Sequence, residues 1–532
     1  MENLRRAIMI KCPYCFETFG DDKVHFRSEY VNMGNDISLL KGYKSYSAFD
    51  MGYDGPDKEQ IKKKYEESSF YNPGDDEKYT KFWSKFGGQT TEVDPSNDGR
   101  DTNKLVYRRK VIDPSDQQHQ THLVQQANGS YLIRNPELRN MVTSIRICDG
   151  DGSQTSRRVC PFCHNPLPDG YGLYPVVFIS VIGIVGSGKT VFLSQFIKGF
   201  DEYAAKCGLT PLRRNTASTQ FIQMNKVAVG KPLPLPTAHG RFEQPIIYNI
   251  EKASRNGRET LTVVMYDIAG EVFKDEYMAD VQKFAPFVKQ SNGIILLVDP
   301  RQFRGISEAM AANGKILSEE DTQSPGSALA NIHSVLMGVD RKYDRPLAVC
   351  VSKMDSIKYF LNNNMNLINY ISTDYEGELV EGSSWENKKI FNMRRHMYNN
   401  REMGNFIAMQ DRPLMNELNT GFSNYRFFGF TALNCNVVDN KPVGPIQPHR
   451  IEEPILWMLN QIGFIGSNEW QCPRCHCSDV MTCPPRNVTY YRKEIKGKGI
   501  FAKKIDVPYT VTVNTYCNKC QYWFNNTNPV LY

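Results

Sequence analysis

The chain has 532 residues and a formal charge of +6, from 64 Lys plus Arg against 58 Asp plus Glu. At about 100 to 200 residues per domain this length requires several domains, and so small a net charge removes any general demand for a polyanionic partner. A hydrophobic content of 40% excludes wholesale disorder. The longest apolar run, 174–185, is shorter than the about 20 residues that span a bilayer, and 1–11 has no long apolar core; the expectation is a cytoplasmic protein with no membrane span.

Four Cys-x-x-Cys pairs punctuate the chain: Cys12 with Cys15, Cys160 with Cys163, Cys472 with Cys475, and Cys517 with Cys520. This spacing aims two thiolates at one tetrahedral metal and predicts zinc in a reducing compartment. The 144 residues between the first two pairs exceed a simple ribbon. An N-terminal ribbon of 1–23 and 148–174 is therefore expected, interrupted by an α+β subdomain at 24–147. That insertion carries Tyr65, Phe70, Tyr71, Tyr79, Phe82, Trp83 and Phe86, more aromatics than a solvated linker holds. Within it, 123–133 reads as a hairpin turning at Asn128-Gly129.

From residue 175 short β-rich runs alternate with longer amphipathic segments, the pattern of an α/β sheet packed between helices. The runs are 176–183, 245–250, 261–267, 293–299, 347–352 and 427–431. Only a polar turn containing Asn256-Gly257 separates the second from the third, too little for a crossover helix. A mixed, mostly parallel six-stranded sheet with one antiparallel member follows. This domain is expected at 175–466, with an extra helical insertion at 355–426 whose polar helix covers 385–409. A C-terminal zinc ribbon is expected at 467–532.

The first run leads into Gly183-Ile184-Val185-Gly186-Ser187-Gly188-Lys189-Thr190, a full Gly-x-x-x-x-Gly-Lys-Thr phosphate loop that opens a helix at 191–200. Its glycines let backbone N–H groups converge on phosphate at a helix N-terminus. Lys189 supplies a cation, Thr190 a hydroxyl for magnesium, and Val191 continues the cradle. The third run ends in Asp267-Ile268-Ala269-Gly270-Glu271, where Asp267 can enter the magnesium shell and the Gly270 N–H can sense a γ-phosphate. The fifth delivers Ser352-Lys353-Met354-Asp355. A carboxylate there accepts two hydrogen bonds from guanine and none from adenine, which selects GTP. Thr431-Ala432-Leu433 follows the last run as a backbone clamp for the base.

These elements, in this order, resemble the Ras-like P-loop GTPases of the translation-factor class over 175–464. The flanking ribbons and the segment from Arg450 to Trp457 resemble more narrowly the bacterial double-GTPase conflict-system families, although a single phosphate loop is present. The resemblance implies GTP and magnesium, with Lys189, Thr190, Asp267 and Gly270 in catalysis and Lys353 and Asp355 reading the base. Two departures stand out. Glu271 replaces the usual Gln that orients the attacking water, so it would act as a base or hinder by repulsion. The first-switch threonine is assigned to Thr237, with Thr216 and Thr219 as alternatives.

Both zinc sites read as structural, since closed tetrahedral sites stabilise pieces too small for their own core. Cys12, Cys15, Cys160 and Cys163 form one, and Cys472, Cys475, Cys517 and Cys520 the other, with Cys477, Cys483 or His476 as substitute ligands. Between the last two pairs lies a basic stripe of Arg486, Arg492, Lys493, Lys496, Lys498, Lys503 and Lys504, interleaved with Tyr490, Tyr491 and Phe501. It would suit phosphate contacts and stacking, but a solvated lysine-rich hairpin is the plainer reading. The expected function is a GTP-hydrolysing switch acting on a protein partner in a bacterial conflict or defence setting. An ATP-dependent remodeller or a nucleotide-regulated nucleic-acid module are the alternatives.

Overall fold

The computed structural model describes residues 7–27, 41, 46–68, 76–86, 111–147, 154–215, 217–235, 242–254, 257–274, 278–314, 323–337, 342–361, 364–372, 379–381, 389–466, 480–496, 503–517 and 521–524. Its centre is a seven-stranded sheet. The strands are β1 (Val176–Gly183), β2 (Leu209–Arg213), β3 (Ile246–Ser254), β4 (Gly257–Ala269), β5 (Gly293–Val298), β6 (Leu347–Val351) and β7 (Tyr425–Gly429). Their order is β2-β3-β4-β1-β5-β6-β7. β3 is antiparallel to both neighbours and every other pairing is parallel. All of the expected runs are strands of this sheet. The additional one, β2, is a five-residue edge strand carrying Pro211, and a proline is tolerated at an edge, where its missing donor interrupts no inner ladder.

β1 buries both faces, as a strand covered by helices on each side must. Val177, Ile179 and Val181 face one layer, with Phe192, Phe196 and Phe200 of α2 (Lys189–Lys206) and Leu456, Trp457 and Leu459 of α6 (Glu453–Gln461). Phe178 and Ile182 face the other. That layer holds Phe284, Phe287 and Val288 of α3 (Met278–Gln290) and Leu329 and Ile332 of α4 (Pro325–Met337). The helix expected at 385–409 is α5 (Met393–Gln410), capped by the Asn392 side chain on the Arg395 N–H. It starts late because Lys389–Phe391 pairs as a strand with Leu379–Glu381; residues 385–388 lie outside the described ones.

The two halves of the N-terminal ribbon are brought together by His25–Arg27, just beyond the first half, which pairs with Arg158–Val159 of the second half on one side and with Val111–Ile112 of the insertion on the other. The hairpin expected at 123–133 is corrected. The turn is there, with Gly129 at φ 79° and the Gln126 N–H on the Ser130 carbonyl, but its arms do not pair with each other. Leu123 bridges to Ile147, and Leu132–Asn135 pairs with Met141–Arg146, which offers a longer apolar partner. Tyr79, Phe82 and Trp83 of α1 (Glu77–Ser84) are buried together with Phe86. The Tyr65 side chain, Phe70 and Tyr71 lie outside the described residues. The α1 aromatics share one continuous core with Cys12, Tyr14, Phe242, Tyr266 and Phe287, which joins the ribbon to the central sheet.

At the C-terminus Val480–Lys496 and Lys503–Cys517 form a long antiparallel hairpin with Trp523–Phe524 at its base. Its register shifts between Thr482 and Arg486, where Pro484 and Pro485 donate no ladder hydrogen bond. No helix among the described residues is long and apolar enough to cross a membrane.

Candidate nucleotide site and metal centre

The phosphate loop bridges the C-terminal end of β1 and the N-terminus of α2, so the unpaired N–H groups and positive end of that helix face it. Gly186 at φ 72° and Gly188 at φ 76° take the left-handed backbone that turns the loop. Around it lies a cavity of about 730 Å³. Of the residues expected from sequence, Gly183, Gly186, Ser187, Gly188, Lys189, Thr190, Val191, Gly270, Ser352, Lys353, Asp355, Thr431, Ala432 and Leu433 all line it. Leu233, Pro234 and Leu235 close one side and Cys435 and Asn436 another.

Lys189 is buried and ion-paired with Asp267 Oδ1 from the end of β4. Asp267 Oδ2 is also buried and has no hydrogen-bond partner, so a hard-oxygen acceptor is left for a cation, although Asp267 itself, unlike Thr190, is not among the residues that line the cavity. That chemistry fits magnesium. Ser187 Oγ is likewise buried without a partner. Gly270 packs so closely on the loop that a Cβ there would come within 1.7 Å of the Gly183 carbonyl oxygen. Glu271 is the second residue of the 3-10 turn Gly270–Phe273, and its side chain lies outside the described residues. Thr237 and Thr216 lie outside them too, while Thr219 is exposed on the helix Ala217–Met224.

On the base side, Ser352 Oγ donates to the Val298 carbonyl at 3.0 Å and ties β6 to β5. Lys353, at φ 50°, extends its Nζ to the Gly186 carbonyl (2.5 Å) and to Asp299 Oδ2 (2.9 Å). Asp355 Oδ1 accepts from Thr431 Oγ1 at 2.7 Å. Thr431 is itself held by a two-way backbone exchange with His449, at 3.1 and 2.8 Å. Sequence reasoning missed Asp299, Arg301 and His449. Asp299 is fully buried; Arg301 and Lys353 beside it hold its carboxyl below the usual range against the opposing effect of burial. The position of Asp299 and Arg301 just after β5, at the C-terminal edge of a parallel strand, was the available signal for those two; His449 carried none.

The second centre is the ribbon. Cys12, Cys15, Cys160 and Cys163 bring their Sγ atoms within 4.8 Å of one another. Cys12 and Cys163 are 3.7 Å apart and Cys15 and Cys160 3.6 Å. With Zn–S near 2.3 Å a tetrahedron has edges of about 3.8 Å, so the thiols fit zinc. Burial pushes the Cys12 and Cys163 thiols up, whereas hydrogen bonds from the other thiols pull Cys15 down. Both knuckles have the same backbone. Phe16 and His164 at φ 63° and 51° return their N–H to the Cys12 and Cys160 carbonyls, and the Cys12 and Cys160 N–H groups reach Glu17 and Asn165.

Cys517 repeats this pattern: its N–H reaches the Tyr522 carbonyl, and Gln521, at φ 57°, returns its N–H to the Cys517 carbonyl. Cys472, Cys475, Cys520, Cys477 and His476 lie outside the described residues, as does the side chain of Cys483. In the basic stripe, the Arg486 guanidinium lies over the Trp523 ring at 3.9 Å; Lys498 and the side chains of Arg492, Lys493, Lys496, Lys503 and Lys504 lie outside the description.

A phosphate loop between the central strand of a mixed sheet and its helix, with a Lys-x-Asp loop across the same cavity, is the arrangement of a P-loop nucleotide-binding domain. Residues 177–374 match the family model for Double-GTPase 2. Among curated proteins, "Putative ESX-1 scaffolding and assembly protein SaeC" of Mycolicibacterium smegmatis is 24% identical over 213 residues, 38% of this chain and 51% of that protein. The chain thus spans about half the length of the curated relative it matches. Among solved structures, Aquifex aeolicus Era bound to GDP and aluminium fluoride is 11% identical, over 57% of this chain and 60% of that one, at a TM-score of 0.23. The GTP-bound GTPase-like domain of Saccharomyces cerevisiae Ski7 is 9% identical over 67% and 72%, also at 0.23.

Proposed function

We propose that the chain is a GTP-binding and GTP-hydrolysing switch that controls a protein partner. The observation that carries this reading is the double use of the loop after β6. Lys353 braces the phosphate loop at Gly186 while Asp355, two residues on, is oriented by Thr431 at the cavity wall. Guanine satisfies that carboxylate with two donors, and adenine leaves it unpaired. On nucleotide entry Lys189 exchanges Asp267 for phosphate oxygens. Thr190 and Asp267 would hold magnesium, which supplies charge neutralisation at the phosphates. Gly270 is the position at which the presence of a γ-phosphate is passed to the following turn.

Glu271 places a carboxylate where the class carries a neutral amide, so turnover by the isolated chain is slow and depends on the partner. SaeC is described as a scaffolding and assembly protein, which supports a protein as that partner. A setting in a bacterial conflict or defence system is proposed from the double-GTPase resemblance. The Cys517 turn supports a second zinc centre completed by Cys472, Cys475 and Cys520. The test is the nucleotide that copurifies with the full chain, followed by phosphate release from GTP with magnesium. Guanine nucleotide and slow release are expected; retained adenine nucleotide, or no binding of either, contradicts the reading.

A further inference from the structure

A phosphate loop binds anions through N–H groups that point inward, so its carbonyls must point outward and find donors of their own. Lys353 serves Gly186 in this way. The residue before it, Val185, is gripped at both ends by glutamines from elsewhere in the chain. Gln302, at the end of the 3-10 turn after β5, donates Nε2 to the Val185 carbonyl at 2.6 Å. Gln323, just before α4, accepts the Val185 N–H on Oε1 at 3.2 Å. The two are joined, since the Gln323 N–H donates to Gln302 Oε1 at 3.2 Å. Both are at least nine-tenths buried, at 9% and 8% exposure.

We propose that Gln302 and Gln323 are positioning residues that hold the phosphate loop in its anion-receiving shape before nucleotide arrives. The reason is the planar trans peptide, in which C=O and the next N–H point in opposite directions. Fixing the Val185 carbonyl against Gln302 also fixes the Gly186 N–H, which points the opposite way within the same plane, toward the cavity that Gly186 lines. Without the clasp this peptide is free to rotate between Val185 and the left-handed Gly186, and part of the anion cradle must be assembled during binding. The clasp also ties the loop to the segments that carry Asp299 and α4, and so to the surfaces beyond them.

This inference rests on the nucleotide-binding reading above, and the experiment separates the two. Full-length wild type, Gln302→Met, Gln323→Met and Gln302→Lys are titrated with fluorescent GDP and GTP, with ATP as competitor, and melted without nucleotide. Gln323→Met removes an acceptor but also a buried Nε2 that has no partner, so that variant is expected to fold. Both Met variants should weaken GDP and GTP by about tenfold with the preference over ATP intact, and Gln302→Lys, which keeps the donor to Val185 but loses the acceptor of the Gln323 N–H, should recover part of the loss. Unchanged affinities in the Met variants, even with lowered melting temperatures, overturn the proposal, as does a loss that Gln302→Lys leaves undiminished. Absence of binding by wild type instead overturns the nucleotide-binding reading.

Discussion

Replacing Gly270 with alanine tests whether the acidic strand end and the phosphate loop form one rigid unit. The added Cβ would stand 1.7 Å from the Gly183 carbonyl oxygen, 2.5 Å from its carbon and 2.9 Å from the Ile184 Cα. All three are backbone atoms, so no side chain can swing aside. Since real Cβ atoms do not approach closer than 3.0 Å, the two segments must part by at least about 1.3 Å. A displacement of about 1 Å in a positioned site costs on the order of a hundredfold in rate or transition-state affinity, and overpacking adds about 1 to 3 kcal/mol of destabilisation. Fluorescent GDP titration and calorimetric melting of Gly270→Ala should therefore show weakening of at least about tenfold and a lower Tm. Wild-type GDP affinity in the alanine variant would refute the rigid-unit argument, whatever happened to Tm.

Elemental analysis should return about two zinc per chain by ligand count, and Cys160→Ser should remove one of them and lower Tm; a folded, metal-free wild type would remove both zinc assignments. Trp83, 1% exposed with its indole N–H on Asn165 Oδ1 at 3.0 Å, should cost about 3 to 5 kcal/mol in urea melts when changed to alanine. A loss under about 1 kcal/mol would mean that α1 does not share the core. Glu452 is fully buried with neither oxygen hydrogen-bonded, and burial pushes its carboxyl up to about 8 from 4.5. The folded state thus keeps a proton that the unfolded chain releases, so this group makes stability fall as pH rises from 4.5 to about 8. Glu452→Gln should raise Tm at pH 8 and flatten that slope; an unchanged slope would contradict it.

The sheet and phosphate site were legible because their signals are local. Strand 347–351 is an uninterrupted apolar run and 176–183 is broken only by Ser180, and the Gly186-Ser187-Gly188-Lys189 loop encodes its own backbone angles. What escaped depends on long-range pairing. The arms around Asn128-Gly129 carried a sound turn signal, yet Leu132–Asn135 found a better partner in Met141–Arg146, and no local pattern encodes that competition. β2 was hidden by Pro211, which demotes a strand unless its place at a sheet edge is known. Gln302 and Gln323 act on the phosphate loop from over a hundred residues away, as Asp299 does through Lys353, and they carry no motif. The four ribbon thiols lay between these cases: spacing announced each pair, while their convergence needed the pairing of 25–27 with 158–159.

The central claim is that Asp355, set by Thr431, reads guanine beside a phosphate loop held by Lys353 and the glutamines. It is tested most directly by competing GTP and ATP for the nucleotide-free protein, in wild type and in Asp355→Ala. Wild type should bind GTP at least about tenfold more tightly, about 1.4 kcal/mol, and binding of both nucleotides should be weaker and near-equal once the carboxylate is gone. Equal affinities in wild type, or a GTP preference that survives Asp355→Ala, would contradict it.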